Sequence, residues 1–113
     1  MLSKRKSSIK PFFVLSTTPT RKEAVVLAQK LVDQKLAACV NLIYPVTSFF
    51  YWKKKQERVR EALLIIKTIA PNFKAIQKLF QDYHSYEVPE LIGWPITKGN
   101  APYLNWLQSS VLS

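Results

Sequence analysis

One short stretch of the chain holds several side chains that could bind a metal ion or a small ligand. Residues 83–99 read YHSYEVPELIGWPITKG and include the only histidine, His84, close to Tyr83, Tyr86 and Glu90. Imidazole and carboxylate groups are common donors for divalent metals. The same pattern also fits a strand with a polar edge, and His84 then fits a surface histidine that interacts with a helix C-terminus. Both interpretations stay open at this point.

Other charged and nucleophilic residues lie in apolar surroundings. Glu61, Lys67 and Glu90 lie in or beside predicted strands, where a charge is costly unless it is paired. Cys39 lies in an apolar run, which favours a buried structural thiol. One histidine and one cysteine do not make a specific pair of nucleophile and base. We therefore predict a binding protein rather than an enzyme.

The composition limits the class of protein. A chain of 113 residues with 48% hydrophobic residues suits a single domain with a packed core. A single cysteine excludes a disulfide scaffold and a paired-cysteine metal finger. The net charge of +10 favours acidic partners or polyanions. Part of that charge lies in residues 1–10, which we predict to be a disordered basic tail preceding the domain at 11–113.

The apolar runs also bear on location. Residues 63–66 form one of the longest of these runs, which is far too short to span a membrane. The apolar run at 12–15 is too short for the core of a signal peptide. A cytoplasmic protein without membrane insertion is therefore predicted.

The first half of the chain predicts a strand and then a helix. The run at 12–15 is typical of a strand buried on both faces. Thr20 and Glu23 form a capping box, and apolar residues then recur at helical spacing, which predicts a helix at 20–35.

A β-hairpin is predicted next. Residues 37–52 are rich in β-branched and aromatic residues, with Pro45 expected at a bulge or a sheet edge. Residues 53–56 are predicted to form the turn, and 58–68 the returning strand. Alternation in that strand gives two faces, Ala62, Leu64 and Ile66 on one and Val59, Glu61, Leu63, Ile65 and Lys67 on the other.

The rest of the chain predicts a helix, a strand and a short helix. Pro71 suits the first turn of the second helix. Residues 88–97 are predicted to form the last strand, interrupted by Gly93 and Pro95, and Asn100 to cap the final helix. The order β-α-β-β-α-β indicates an α+β, ferredoxin-like single domain with both helices on one sheet face. The uncovered face, with the aromatic residues 49–52 nearby, predicts an oligomer.

Four stretches together resemble one known family. They are LVDQKLAACVNLI at 31–43, SFFYW at 48–52, EALLIIKT at 61–68 and YEVPELIGWPITKGNAPYLNWL at 86–107. In this order and spacing they resemble the CutA family of divalent-cation tolerance proteins, over about residues 11–110. The resemblance implies a homotrimer with a PII-like assembly, linked to tolerance of copper and other divalent cations.

The resemblance also implies site residues. The proposed copper ligands of the family, a cysteine and two histidines, fall here at Ser16, Tyr83 and His84, so that only His84 is kept. Copper prefers nitrogen and sulfur donors, which makes this set a weak one. Seven residues fall at or near the clefts expected between subunits, namely Cys39, Trp52, Glu61, Lys67, Tyr86, Glu90 and Tyr103.

Three functions compete. The first is a trimeric tolerance protein that binds copper, another divalent cation or a small ligand in the clefts. The second is a structural or signalling trimer that binds a partner protein or a small anionic ligand without metal. In either case, an alternative role for Glu61, Lys67 and Glu90 is a salt bridge between subunits that fixes the register of assembly. An RNA-binding module is less favoured, because the sequence has no basic-Gly-aromatic-Gly stretch for base stacking.

Overall fold

The computed structural model describes residues 9–112, which form four strands and three α-helices. The strands are β1 (Pro11–Thr18), β2 (Cys39–Trp52), β3 (Lys55–Ile69) and β4 (Ile92–Pro95). The helices are α1 (Arg21–Asp33), α2 (Phe73–Tyr83), which follows a 3-10 turn at Ala70–Asn72, and α3 (Ala101–Leu112). The predicted order of elements is confirmed.

The four strands form one antiparallel sheet in the order β2-β3-β1-β4. This is the predicted α+β, ferredoxin-like arrangement. Alternate residues of the central strands β1 and β3 turn towards α1 and α2 and make up the core. Its fully buried members include Val14, Ala62, Leu64, Ile66, Leu27, Leu31, Ile76 and Phe80.

Helix α1 is shorter than predicted at both ends. Thr20 is the N-cap, and its Oγ1 accepts a hydrogen bond from the Glu23 amide at 3.1 Å. The Glu23 side chain does not complete the capping box, because it accepts a hydrogen bond from the amide of Ser85 at 2.9 Å. The helix ends before Lys35, whose φ of 57° is left-handed.

Strand β1 continues past the predicted 12–15 to Thr18, although its last residues are polar. Buried polar groups are tolerated when they are hydrogen-bonded. The hydroxyl of Ser16 donates to the carbonyl of Glu90 at 2.6 Å, and that of Thr18 donates to the carbonyl of Thr20 at 2.7 Å.

The β2–β3 hairpin extends beyond the rest of the sheet. Strand β1 pairs with β3 only over residues 62–69, so residues 46–61, here called the ribbon, pair only with each other within the described part of the chain. The register shifts between Ile43 and Val46, which places Pro45 at the predicted bulge. The radius of gyration is 15.3 Å, whereas a compact domain of about 100 residues has roughly 13 Å.

The turn of the hairpin contains two residues rather than the predicted four. Strand β2 ends at Trp52 and β3 begins at Lys55, which leaves Lys53 and Lys54 with φ values of 52° and 66°. A two-residue hairpin turn with both φ values positive has the backbone of a type I′ turn, which Asn and Gly adopt most easily.

The last strand is much shorter than predicted. Only residues 92–95 pair with β1, and residues 84–91, here called the cavity loop, are irregular. At the other end of the chain, residues 1–8 of the predicted tail lie outside the described residues. Ile9 and Lys10 are tied to the domain, because their carbonyls accept hydrogen bonds from Gln108 Nε2 and from the amide of Ala70.

The helices of the described residues do not include a candidate membrane span. None of the helices within residues 9–112 has both the length and the apolar composition that a span requires.

Candidate functional site

An open cavity of about 760 Å³ lies between the ribbon and the cavity loop. The cavity-facing side of the ribbon consists largely of alternate residues, because successive side chains of a strand point to opposite faces. The cavity loop adds five consecutive residues, 86–90, and β1 adds Thr17. The ribbon contributes Ser48, Phe49, Phe50, Trp52, Lys53, Glu57, Val59 and Glu61.

The charge of this cavity is opposite to that of the whole chain. Within residues 9–112, four of the seven acidic residues line it, with one of the fourteen lysines and arginines of that part of the chain. The acidic residues are Glu57, Glu61, Glu87 and Glu90, and the base is Lys53. A concave surface with an excess of one charge raises the local concentration of ions of the opposite sign. The cavity therefore favours a cationic ligand.

Glu61 and Tyr86, which both line the cavity, are joined by a partly buried hydrogen bond. Glu61 is 5% exposed, and the hydroxyl of Tyr86 donates to its Oε2 at 2.8 Å. Burial first, and then the hydrogen bond to Glu61 and the charges of Glu61 and Glu23, together raise the pKa of Tyr86 from its ordinary value of 10.0 to about 12. Tyr86 therefore stays protonated as a hydrogen-bond donor at physiological pH.

His84 is buried, so the interpretation as a surface histidine is wrong. Its side chain is fully enclosed, and its ring stacks at 5.8 Å on Phe80 and lies 5.1 Å from the ring of Tyr86. Nε2 lies 2.7 Å from the carbonyl oxygen of Thr17, and Nδ1 lies 3.0 Å from the amide nitrogen of Tyr86. Both ring nitrogens are therefore engaged by the backbone.

The three positions implied for a copper site do not form one. Ser16 uses its hydroxyl to bind the carbonyl of Glu90, and Tyr83 is exposed, with the ammonium of Lys30 4.3 Å from the centre of its ring. His84 has no free lone pair, since Nδ1 accepts a hydrogen bond and Nε2 faces a carbonyl. These donors do not fit copper. Within residues 9–112, no group of three or more His, Cys, Asp or Glu residues is arranged to hold a metal ion.

The structure divides the seven predicted cleft residues into two groups. Trp52, Glu61, Tyr86 and Glu90 line the cavity together. Cys39, Lys67 and Tyr103 are not among its lining residues.

Cys39 and Lys67 lie directly opposite each other at the far end of β2 and β3. Lys67 is six residues from Glu61 along β3, a separation of about 20 Å in an extended strand. Its ammonium donates to Asn41 Oδ1. The ring of Tyr103 lies on α3, 5.5 Å from the ring of Trp106. Within one chain, Glu61 and Lys67 therefore cannot share a ligand.

Sequence reasoning did not single out several residues of the cavity. Glu57 lies four positions before Glu61, and this even offset in KQERVRE was a signal that both lie on one face of the strand. Thr17 offered no such signal, because its role depends on a carbonyl that meets His84 from a distant part of the chain.

A family model described as CutA1 divalent ion tolerance protein matches residues 12–110. The chain belongs to this family. The resemblance inferred from the four sequence stretches is confirmed.

Individual CutA relatives match almost the full chain. The divalent-cation tolerance protein CutA of Escherichia coli (strain K12 / DH10B) is 38% identical over 111 residues, which cover 98% of this chain and 99% of that protein. The structure of CutA1 from Oryza sativa is 37% identical with a TM-score of 0.87, and covers 90% of this chain and 94% of its own. The periplasmic divalent cation tolerance protein CutA from Archaeoglobus fulgidus is 36% identical with a TM-score of 0.86, and covers 89% and 98%.

The CutA family is named for tolerance of divalent ions and not for a reaction. The name therefore relates this chain to divalent cations.

Proposed function

We propose that this protein acts in divalent-cation tolerance as a homotrimer that binds a cationic ligand in the acidic cavity, without catalysing a reaction. The observation that carries the proposal is the placement of four of the seven acidic residues around one cavity of a chain with a net charge of +10. Such segregation of charge is expected where a cation is bound.

The trimer is supported by apolar surface that a single chain leaves exposed. Ile43 and Trp94 lie on the sheet face opposite the helices, and both are more than two-fifths exposed. The ribbon exposes four consecutive aromatic residues, 49–52. An isolated two-stranded ribbon is only marginally stable in water. Neighbouring subunits would cover both surfaces and make the cavity part of a cleft.

The chemistry of the cavity supports two kinds of cation, of which a divalent ion would need further ligands from a neighbouring subunit, because no three His, Cys, Asp or Glu residues within 9–112 are arranged to hold a metal ion. Carboxylate oxygens suit hard divalent ions better than they suit copper, for which the donors at Ser16, Tyr83 and His84 do not fit. The aromatic walls and the volume of about 760 Å³ also suit a small organic ammonium ion, which interacts favourably with aromatic faces. In both cases Glu61 is the most buried of the four carboxylates.

The test is calorimetric titration of the purified protein with the hard ions Mg²⁺ and Mn²⁺, with Cu²⁺ for comparison, and with the diamine putrescine. Glu61→Gln keeps the shape and removes the charge, so it should weaken binding of the preferred cation by at least about tenfold. Asp33→Asn removes the same charge from the exposed end of α1 and should leave the affinity unchanged. Weak binding that is equal in all three proteins, or a monomer by light scattering, would remove the proposal.

A second candidate is a structural or signalling trimer that binds a partner protein or a small anion without metal. The position of Lys67 favours it, because this ammonium lies on the uncovered sheet face and contacts only the amide side chain of Asn41 within the described residues. A thermal-shift screen of phosphate and small carboxylates on the wild type and Lys67→Gln would identify such an anion.

The proposed location is the cytoplasm, although the Archaeoglobus fulgidus relative is named a periplasmic protein. Fractionation of cells that express the full chain is the direct test.

A further inference from the structure

The cavity loop is fastened to β1 at both of its ends. At its start, His84 Nε2 lies 2.7 Å from the carbonyl oxygen of Thr17. Near its end, the carbonyl of Glu90 accepts a hydrogen bond of 2.6 Å from the hydroxyl of Ser16. Ser16 and Thr17 are consecutive and both buried, so one short piece of β1 holds both ends of the loop.

The contacts of His84 define which ring nitrogen carries the proton. A backbone carbonyl can only accept, so Nε2 must be the donor to Thr17. A backbone amide can only donate, so Nδ1 must accept from Tyr86. The ring is therefore a neutral imidazole with its proton on Nε2, and it presents no free lone pair to a metal.

The hydrogen bond at Nδ1 leads directly to the cavity. The amide that it accepts from belongs to Tyr86, whose hydroxyl donates to the buried Glu61 at 2.8 Å. The next residue back, Ser85, is held by the Glu23 carboxylate, whose Oε2 also lies 3.4 Å from Nδ1. Contacts with His84 and with Glu23 thus hold the start of the cavity loop in place. The backbone of Tyr86 is part of this segment, so its position is set by the same contacts.

We propose that His84 and Ser16, which occupy positions of the implied metal site, are positioning residues that hold the cavity loop so that Tyr86 reaches Glu61. Neither acts as a metal ligand. The inference concerns the cavity of the proposed function, but its test needs no ligand, so each can fail without the other.

The pKa of Tyr86 is the reporter in the first experiment, in which the tyrosine ring carbons are labelled with ¹³C and titrated by NMR. The wild-type pKa lies at about 12. In His84→Ala and in Ser16→Ala it should move towards the ordinary value of 10.0, because the loop no longer holds the ring near Glu61. An unchanged pKa in both variants, with the fold retained, would overturn the proposal.

Two further variants separate positioning from packing. His84→Phe keeps a ring between Phe80 and Tyr86 but has no acceptor for the amide, so it should behave like His84→Ala. His84→Asn loses the ring but places an acceptor oxygen close to the position of Nδ1, so it should restore part of the raised pKa. If Phe restored it and Asn did not, packing alone would explain the role of His84.

A second experiment uses the wild type alone and does not depend on the folding of any variant. Long-range ¹H–¹⁵N NMR of His84 should show a protonated Nε2 and an unprotonated Nδ1, unchanged by an equimolar amount of Zn²⁺. A proton on Nδ1, or a shift of either nitrogen that follows the amount of Zn²⁺ added, would overturn the proposal.

Discussion

At the scale of single residues, Glu61 and Tyr86 decide the character of the cavity. A carboxylate that is almost fully buried is costly unless it is paired or hydrogen-bonded. The carboxylate of Glu61 accepts a hydrogen bond from the hydroxyl of Tyr86. No lysine or arginine of residues 9–112 forms a salt bridge with Glu61. The remaining bonding capacity of Glu61 is available to a cation that enters the cavity.

Substitution of Glu61 should therefore change Tyr86. In Glu61→Gln we expect the pKa of Tyr86 to fall from about 12 only part of the way towards 10.0. Burial, the largest cause, remains, whereas the negative charge and the hydrogen bond to a charged acceptor are lost. Titration by NMR measures this, and Glu23→Gln, which removes a more weakly acting charge, should produce a smaller fall. A larger effect of Glu23→Gln would contradict the assignment.

The same raised pKa predicts how stability depends on high pH. Tyr86 binds its proton more tightly in the folded state than in the unfolded state. Its contribution to the free energy of unfolding is therefore fully present below about pH 10 and is lost as the pH rises towards 12. Urea unfolding of the wild type should show that the free energy of unfolding decreases between these pH values, and the decrease should be smaller in Tyr86→Phe. Equal slopes for the two proteins would mean that Tyr86 does not have a raised pKa. The other tyrosines are common to both proteins and cancel in the comparison.

At the scale of the elements, some features of the β2–β3 hairpin could be predicted from local sequence patterns, and others depend on pairing between the two strands. Pro45 predicted a bulge or a sheet edge, because a residue without an amide proton cannot donate to the ladder, and the structure has a bulge there. The length of the turn was not predictable, because Lys53 and Lys54 take up left-handed backbone that lysine does not favour. The pairing of β2 with β3, which continues to Trp52 and Lys55, imposes this conformation.

The turn offers a test with a matched control. Lys54→Gly should increase the free energy of unfolding by about 0.5–1 kcal/mol, because glycine adopts positive φ without the clash of a Cβ atom. Lys55→Gly removes the same charge one residue later, in β3, and should decrease the free energy by about 0.5–1 kcal/mol. Urea denaturation measures both. If both variants were destabilised, the turn would not have the backbone described here.

At the scale of the whole molecule, the long ribbon and the uncovered sheet face belong to a surface larger than one subunit. The chain extends over 53 Å in its longest direction and only 25 and 21 Å in the others. On the uncovered face, Lys67 lies near the end of β3 and Glu61 near its middle, too far apart to pair within the chain. Burial of this face in a trimer would therefore require partners for these charges from neighbouring subunits or from a ligand.

A single charge on the uncovered face should dissociate the proposed trimer. Ile43 is 47% exposed, so Ile43→Glu should cost little in an isolated subunit but should be very unfavourable in a buried interface. Val32 on α1 is 44% exposed, and Val32→Glu is the matched control that should remain trimeric. Light scattering after size-exclusion chromatography measures both masses. A trimer that survives Ile43→Glu would show that this face is not the interface.

The sequence by itself determined the order of the elements and the family, because these depend on local periodicity, on capping and on motifs read along the chain. The Thr20 cap, the Pro45 bulge and the alternation of Ala62, Leu64 and Ile66 were all readable in this way. Only the tertiary structure decided what the polar residues do. His84 is buried rather than exposed, and its Nε2 donates a hydrogen bond to a carbonyl 67 positions away along the chain. Glu61 meets Tyr86 because the chain folds back over the 24 residues between them. Such pairings depend on three-dimensional proximity, which no spacing along the chain specifies.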